Sequence, residues 1–366
     1  MNAATPQYLA PVADAVDALN QLHRAMLGDL DDEQHGFTWW RGYIDDKRLA
    51  LIAEYLIASV DGITSSLEDA AFLVDEFSQY SFADTKWTRD RISAAQQAGG
   101  DVGAIFRALH RSGLDEKRDR RMRLAREHLF YHLAQAFDRL AAVVVGVGAL
   151  RTQILKADWR IIDSDEQWKK CQGTEKNRGA QSAAGREKQD ELRRSILDAA
   201  LVAGPSDWLQ WIDGTRNTSA HRAPKMRMIA ATKPTKAEPV RLVHLFERQP
   251  KWSMTEALVG KGLGFSSVWL MEDPLGLMRG ALEATASVVE TAVTSLSVVW
   301  ADRRSDPQLL VQPGAQWPTV LEEPELNFSG FGHPVQIGLK GGQFRVAPEQ
   351  GRRMKASGVF SPELWA

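Results

Sequence analysis

Apolar side chains recur every three or four residues along most of the chain as far as residue 301. This spacing places them on one face of an α-helix, so it predicts a series of amphipathic helices. The predicted helices cover residues 8–30, 45–80 with a break at Gly62 or at Ser65-Ser66, 85–97, 102–109, 115–158, 186–202, 207–212 and 273–301. We therefore expect a mainly α protein whose central part is a helical bundle.

The helix predicted over residues 115–158 is the strongest element. It contains no proline, and its first half is dense in charged residues whereas its second half is apolar. Gly146 and Gly148 are expected to bend this helix or to let another helix pack closely against it. Later in the chain, Asp273 and Pro274 form an N-cap and first-turn pair, which predicts where the last helix begins.

Two stretches after Pro224 alternate apolar and polar residues with a period of two, which is typical of β-strands. Residues 226–232 and 240–248 are therefore predicted to form a β-hairpin inside the helical domain. From Ser305 onward the composition shifts to proline, glycine and short apolar runs. The strands predicted there cover residues 309–311, 335–339 and 343–346, with a tight turn at Lys340-Gly341-Gly342.

These patterns divide the chain into three regions. They are an N-terminal helical region over 1–112, a helical domain with the β-hairpin over 113–303 and a small β-rich C-terminal extension over 304–366. Inside the helical domain, residues 161–184 are polar and contain glycine, so we interpret them as a loop. That loop carries a basic cluster made of Lys169, Lys170, Lys176 and Arg178.

The composition is that of an ordinary globular protein, with 44% hydrophobic and 25% charged residues. The net charge of −2 means that any nucleic-acid contact must come from a local basic patch. The single cysteine, Cys171, excludes an internal disulfide and a cysteine-rich zinc site, which makes a cytoplasmic location the expectation. The N-terminus lacks a signal-peptide pattern and the apolar run 140–150 is too short to span a bilayer, so no membrane association is expected.

The stretch from Asp213 to Arg222 combines polar side chains that suit phosphate chemistry. Asp213, Gly214 and Thr215 are turn and N-cap residue types, so a short helix is predicted to begin near Arg216. Asn217 and His221 are four residues apart and would share one face of that helix. Arg216 would then lie at the helix N-terminus, beside free backbone amides and the positive end of the helix dipole. Such a grouping would bind a phosphodiester.

This segment resembles the Arg-polar-x3-His signature of HEPN-domain ribonucleases, a helical superfamily common in toxin–antitoxin, CRISPR-associated and phage-defence proteins. The match consists of Arg216, Asn217 and His221, and the resemblance covers at most residues 115–302. The chain contains a second Arg-x4-His spacing, Arg123 to His128, but a leucine follows that arginine and the segment lies inside a long charged helix. We interpret the second copy as a coincidence of spacing.

The resemblance implies a metal-independent endoribonuclease that needs no cofactor. His221 would transfer protons, Arg216 would stabilise the charged transition state, and Asn217 would orient the histidine or the phosphate. The 2′-OH of the RNA would be the nucleophile, and the products would carry a 2′,3′-cyclic phosphate and a 5′-hydroxyl. The residues expected to add RNA contacts are Arg222, Lys225, Lys176 and Arg178.

The resemblance also implies partners and a biological role. Family members commonly place two motifs face to face, so a homodimer with the motif near its axis is expected. A role as a toxin or antiviral defence effector would add an inhibitor or sensor protein as a partner.

Two other classes of function remain open. One is a non-catalytic helical protein that binds RNA or another protein, because Ala223 and Pro224 follow the motif where some family members continue the helix with an aromatic residue, and many HEPN domains are binding or regulatory versions. The other is a metal-dependent helical-bundle enzyme built on Glu127, His128 and His132. The carboxylates available to complete such a site are Glu187, Asp190, Glu191, Glu283 and Glu290.

Overall fold

The structure is a computed structural model that describes residues 6–31, 36–37, 46–99, 101–172, 182–221, 229–231, 242–262 and 264–310. After a short 3₁₀ helix at Gln7–Val12, the helices are α1 Ala13–Gly28, α2 Asp46–Gln97, α3 Val102–Ala108, α4 Leu114–Val147, α5 Arg160–Asp163, α6 Asp165–Gln172, α7 Ala183–Ala203, α8 Trp208–His221, α9 Trp252–Gly260, α10 Phe265–Val268 and α11 Pro274–Ser305. The strands are β1 Leu30–Asp31, β2 Gly36–Phe37, β3 Ile229–Ala231 and β4 Leu242–His244. The described residues are therefore mainly helical, which confirms the predicted fold class at that level.

The strands predicted between α8 and α9 are confirmed. Strands β3 and β4 pair in antiparallel fashion, with Ile229 opposite His244 and Ala231 opposite Leu242. A second antiparallel pair, β1 with β2, was not predicted because it falls in a short polar turn. Of the C-terminal strand candidates, Leu309 and Leu310 lie in a turn, and the other predicted strands lie outside the described residues.

Helix α2 runs without interruption through the predicted break, so that prediction is wrong. Gly62 marks a close approach instead: a Cβ atom there would come within 2.9 Å of the Arg139 side chain. Arg139 on α4 donates hydrogen bonds to the Gly62 carbonyl at 2.6 Å and to the Ser66 hydroxyl at 2.5 Å. The small residues at this point thus make room for an arginine, and the backbone stays helical. The predicted separate helix 85–97 is the last part of α2.

Helix α4 is present as predicted, but it ends earlier, at Val147. Ala149 has a φ of 50°, which places it in the left-handed region that usually favours glycine. The Leu150 amide then bonds the Val145 carbonyl at 3.0 Å, so the last turn closes with the pattern of a Schellman motif. A left-handed alanine gives no signal in the sequence, which explains why the prediction continued to residue 158.

The predicted loop over residues 161–184 is wrong in its first part, because α5 occupies Arg160–Asp163 and α6 occupies Asp165–Gln172. Trp168 and Gln172 on α6 both donate hydrogen bonds to one carboxylate oxygen of Asp190 on α7, at 2.8 and 2.7 Å. These contacts hold a short polar helix whose isolated sequence favours a loop. Helix α11 begins as predicted, since the Asp273 carboxylate accepts a hydrogen bond from the Gly276 amide at 3.0 Å.

The chain forms two compact units, each assembled from three separate segments. The first contains residues 1–20, 61–140 and 192–295, and its buried core includes Leu67, Leu133 and Val289. The second contains residues 21–60, 141–191 and 296–366, and its core includes Leu56 and Trp300. The three consecutive regions predicted from the sequence divide the chain by composition rather than by packing, and they stay a prediction.

Helix α11 is the one described helix that is long and apolar enough to cross a membrane. Its most apolar window has a mean hydropathy of 1.3, and 56% of that window is buried inside the protein. Val288, Val289 and Val293 on this helix are fully buried. The core helix of a soluble protein is buried in this way. Length and composition alone do not distinguish such a core helix from a membrane-spanning helix.

Candidate functional site

Helix α8 carries the Arg-Asn-x3-His motif, and it is one continuous helix from Trp208 to His221. The predicted break at residues 213–215 is therefore wrong. The Thr215 hydroxyl donates to the Trp211 carbonyl one turn earlier at 2.8 Å, so this turn-type residue is satisfied inside the helix. Gly214 is buried, and a Cβ atom there would lie 3.4 Å from Pro250, so the glycine serves close packing. Arg216 consequently lies two turns inside the helix, and no helix N-terminus with free amides is present there.

Two tryptophans fix α8 against the rest of the first unit. The indole N–H of Trp208 donates to the Ala200 carbonyl and that of Trp211 to the Glu247 carbonyl, both at 2.9 Å. The Trp211 ring packs edge-on against Phe130 of α4, with a centroid distance of 5.0 Å. These contacts determine which face of α8 turns towards α4.

The Arg216 guanidinium lies between two carboxylates. Its Nη2 donates to Asp213 Oδ1 at 2.6 Å, and its Nη1 lies 3.5 Å from Asp138 Oδ2 on α4. Burial lowers the pKa of Arg216, but the hydrogen bond and the charges of Asp213 and Asp138 outweigh burial, so the pKa is raised above its ordinary value. With 24% of its side chain exposed, Arg216 is a fully charged group in a fixed orientation at the surface.

Asn217 binds the other oxygen of the same carboxylate. Its Nδ2 donates to Asp213 Oδ2 at 2.8 Å, so Asp213 is held by residues three and four positions later on its own helix. The cluster therefore contains one positive charge from Arg216 and two negative charges from Asp213 and Asp138. Its local charge is negative, and a phosphate that approaches it must gain positive charge from elsewhere.

The remaining predicted site residues can be placed only in part. His221 is the last residue of α8, one turn beyond Asn217, and its side chain is outside the described part of the structure. The four predicted RNA contacts, Arg222, Lys225, Lys176 and Arg178, all lie outside the described residues. The structure thus brings Arg216 and Asn217 together with Asp213 and Asp138, and it places the His221 backbone on the same helix.

The polar residues predicted on α4 separate into different contacts. His132 Nδ1 lies 3.6 Å from Asp69 of α2, and Glu127 forms an ion pair with Arg123 at 3.6 Å. Burial lowers the pKa of His132, Asp69 raises it, and the nearby charges of His128 and Arg139 lower it further, so the net direction is downward. Across the described ranges, no group of three or more His, Cys, Asp or Glu side chains is arranged to hold a metal ion.

Asp138 was not predicted as a site residue, and Asp213 was assigned the wrong role. Asp138 precedes Arg216 by 78 residues, and no local pattern links two side chains at that separation. Asp213 was interpreted as a cap because aspartate is common there, whereas its carboxylate is used by Arg216 and Asn217. The spacing from Asp213 to Arg216 and Asn217 is itself a detectable signal for such pairing on a helix.

Comparisons with protein-family models, with curated proteins and with solved structures gave no match to this chain. The fold and the site define a mainly α-helical protein in which partly exposed Arg216 and Asn217 share the Asp213 carboxylate on α8. The resemblance to HEPN ribonucleases therefore rests on Arg216, Asn217 and His221 in their helical setting.

Proposed function

We propose that this protein is a metal-independent endoribonuclease of the HEPN type, with its site on α8. The observation that carries the proposal is the fixed orientation of Arg216 on the helix whose sequence also contains Asn217 and His221. A guanidinium held in place before the substrate arrives does not have to be ordered during the reaction, which favours transition-state stabilisation. The tryptophan anchors of α8 hold in place the helix that carries Arg216 and Asn217.

The chemistry uses the nucleophile that RNA carries. A general base removes the proton of a 2′-OH, the 2′-oxygen attacks the adjacent phosphorus, and the bond to the 5′-oxygen breaks as a general acid protonates that oxygen. His221 is the residue able to transfer protons near neutral pH, and Arg216 balances the charge that builds on the phosphorane oxygens. One imidazole cannot act as base and acid in the same step, so a homodimer that pairs two motifs would supply both.

The two carboxylates leave Arg216 able to bind a phosphate. An arginine has five N–H donors, and Asp213 and Asp138 use two of them. The remaining Nη hydrogens can bind a phosphoryl oxygen at the exposed edge of the guanidinium. Asp213 and Asp138 thus act as positioning residues that keep Arg216 oriented, while their negative charges weaken its attraction for a phosphate.

A second candidate function is a non-catalytic helical protein that binds RNA or another protein. It is favoured by the same ion pairs, since Arg216 bound to two carboxylates also serves as a link between α8 and α4. The uninterrupted helix, which provides no amides at Arg216, favours it as well. In this reading Arg216 and Asn217 stabilise the protein and do no chemistry.

The biological setting is part of the proposal and comes from the resemblance. An RNA-cleaving effector in the cytoplasm would act as a toxin or in defence against phages, and an inhibitor or sensor protein would restrain it. Residues outside the α8 motif would then carry the contacts to that partner.

The proposed function is tested by a comparison of RNA with DNA. We expect the purified full-length chain to cut a single-stranded RNA and to leave a DNA of the same sequence intact, because DNA lacks the attacking 2′-OH. A substrate with one ribonucleotide in a DNA strand is the matched control, and cleavage is expected only on the 3′ side of that nucleotide. Equal cleavage of RNA and DNA would contradict the proposal, and cleavage of neither would favour the non-catalytic candidate.

A further inference from the structure

The part of the sequence that precedes the motif contains a strong local excess of positive charge. Residues 80–126 contain eleven Lys and Arg against six Asp and Glu, a net charge of +5 in a chain whose net charge is −2. The segment consists of the end of α2, all of α3 and the first turns of α4, which belong to the same compact unit as α8. Positive charge concentrated in one region attracts polyanions to that region.

The α4 stripe continues this charge towards the motif. It is the row of exposed or half-exposed residues on one face of α4, made of Lys117, Arg120, Arg121, Leu124, His128, Tyr131 and Gln135. Successive members are separated by three or four residues, except for the two adjacent arginines, so they line one side of the helix. The next residue on this side is Asp138, which binds Arg216, and the helix rises about 30 Å from Lys117 to Asp138.

The cations at the start of the α4 stripe are free to bind a ligand. Lys117 and Arg120 are exposed, and within the described part of the chain neither has a carboxylate at ion-pair distance. Arg121 donates a hydrogen bond to the Tyr80 hydroxyl and lies over the Tyr80 ring at 5.5 Å, so its position is fixed, and no carboxylate among the described residues pairs with it. Three positive groups therefore lie within two turns of one helix.

The second half of the α4 stripe offers rings. Tyr131 has 45% of its surface exposed, and His128 lies exposed one turn before it. Exposed aromatic rings beside cations are the usual surface for a single-stranded nucleic acid, because bases stack on the rings while the cations bind the phosphates. Leu124 and Tyr131 are the large apolar residues of the stripe, which is less apolar surface than an amphipathic membrane anchor presents.

We infer that the α4 stripe is the surface along which single-stranded RNA approaches the motif on α8, an inference that rests on the proposed ribonuclease function. The motif has a negative local charge because Asp213 and Asp138 outnumber Arg216. RNA therefore needs cations outside the motif, and Lys117, Arg120 and Arg121 supply them on the helix that also holds Asp138. The rings of His128 and Tyr131 receive bases between those cations and the reactive phosphate.

The test measures RNA affinity separately from cleavage. In the full-length chain that carries His221→Ala, the dissociation constant for a 20-nucleotide fluorescent RNA is measured by anisotropy over a range of salt concentrations. The charge-reversal variant adds Lys117→Glu and Arg120→Glu. The matched control adds Lys156→Glu and Arg194→Glu, which makes the same charge change at two exposed cations outside the α4 stripe and outside the predicted RNA contacts.

We expect the stripe variant to bind RNA at least about tenfold more weakly, while the Lys156 and Arg194 control stays within about twofold. Loss of two phosphate contacts should also lower the slope of log affinity against log salt by about 1.4 for a single strand. Tyr131→Ala should weaken binding about tenfold with little change of slope, since stacking carries no charge. Circular dichroism checks that all variants remain folded.

Two results would overturn the inference. One is equal RNA affinity in the stripe variant and in the Lys156 and Arg194 control. The other is a wild-type stripe that binds phosphatidylserine vesicles and not RNA, which would make it a membrane-binding face. If the wild type cleaves RNA and charge reversal leaves the RNA affinity unchanged, the inference about the α4 stripe is wrong and the nuclease proposal stands. If RNA binds through the α4 stripe and the wild type never cleaves that RNA, the stripe is an RNA-binding surface and the nuclease proposal fails.

Discussion

Alanine at His221 is expected to reduce kcat for RNA cleavage by at least about 100-fold, because general acid–base catalysis contributes roughly 10²–10⁴ to a rate. Alanine at Arg216 is expected to reduce kcat by about 10²–10³, the usual loss when a donor to the transition-state charge is removed. Arg216→Lys should recover little of this activity, since lysine keeps the charge but cannot span Asp213 and Asp138 with a planar group. Initial rates at saturating RNA measure all three effects.

The second Arg-x4-His copy provides the controls for this prediction. Arg123→Ala should leave cleavage unchanged, because Arg123 pairs with Glu127 on its own helix and lies outside the α4 stripe. His128→Ala should raise KM and leave kcat unchanged, since His128 is proposed to contact the RNA and not the reacting phosphate. Loss of kcat in these two variants, with His221→Ala fully active, would place the chemistry on α4 and contradict the site on α8.

Replacement of Arg303 by methionine is expected to lower the free energy of unfolding by about 2–4 kcal/mol. Arg303 is 1% exposed and donates hydrogen bonds to the Gly146 and Val147 carbonyls, at 2.9 and 2.6 Å. These carbonyls belong to the last turn of α4. The Gly146 carbonyl also accepts a longer bond from the Ala149 amide at 3.4 Å, so the variant chiefly deprives the buried Val147 carbonyl of its donor. It also removes a positive charge from the negative end of the helix dipole. Urea denaturation measures the change.

Arg304 is the matched control for that prediction. It is the next residue on α11, its side chain is 48% exposed, and it lies 3.3 Å from a carboxylate oxygen of Asp29. Asp29 is buried, but its other carboxylate oxygen keeps the hydrogen bond from the Trp300 indole at 2.8 Å, and Arg304 itself is half exposed. Arg304→Met should therefore cost about 1 kcal/mol, less than the Arg303 variant. Equal losses in the two variants would mean that the buried carbonyl contacts of Arg303 do not support α4.

The helical pattern could be predicted from the sequence because periodicity is a local property. The existence of α1, α4, α7 and α11, the start of α11 at Asp273 and the β3–β4 pair all follow from residues close together in the chain. What could not be predicted depends on contacts made over long separations. Glycine usually weakens a helix, but Gly62 leaves room for the Arg139 side chain and Gly214 for Pro250. These distant contacts support the helix at both positions and cannot be read from the local sequence.

In the candidate site, too, local spacing could be predicted from the sequence and long-range contacts could not. The sequence identifies Arg216, Asn217 and His221 by their spacing, and it places them on one helix. It gives no indication that Asp138 reaches Arg216, because the two residues are brought together by the packing of α4 and α8. The resulting negative charge at the motif, which motivates the role given to the α4 stripe, is visible only when both carboxylates are placed.

The central claim, a metal-independent ribonuclease site on α8, is tested most directly by the ends of the RNA fragments. The wild-type chain is incubated with RNA in excess EDTA, and the fragment ends are analysed by mass spectrometry. The account predicts 2′,3′-cyclic phosphate and 5′-hydroxyl ends, formed at a rate that EDTA does not change. Fragments with 5′-phosphate ends, or cleavage that EDTA abolishes, would contradict it, since attack by a metal-bound water would then replace attack by the 2′-OH.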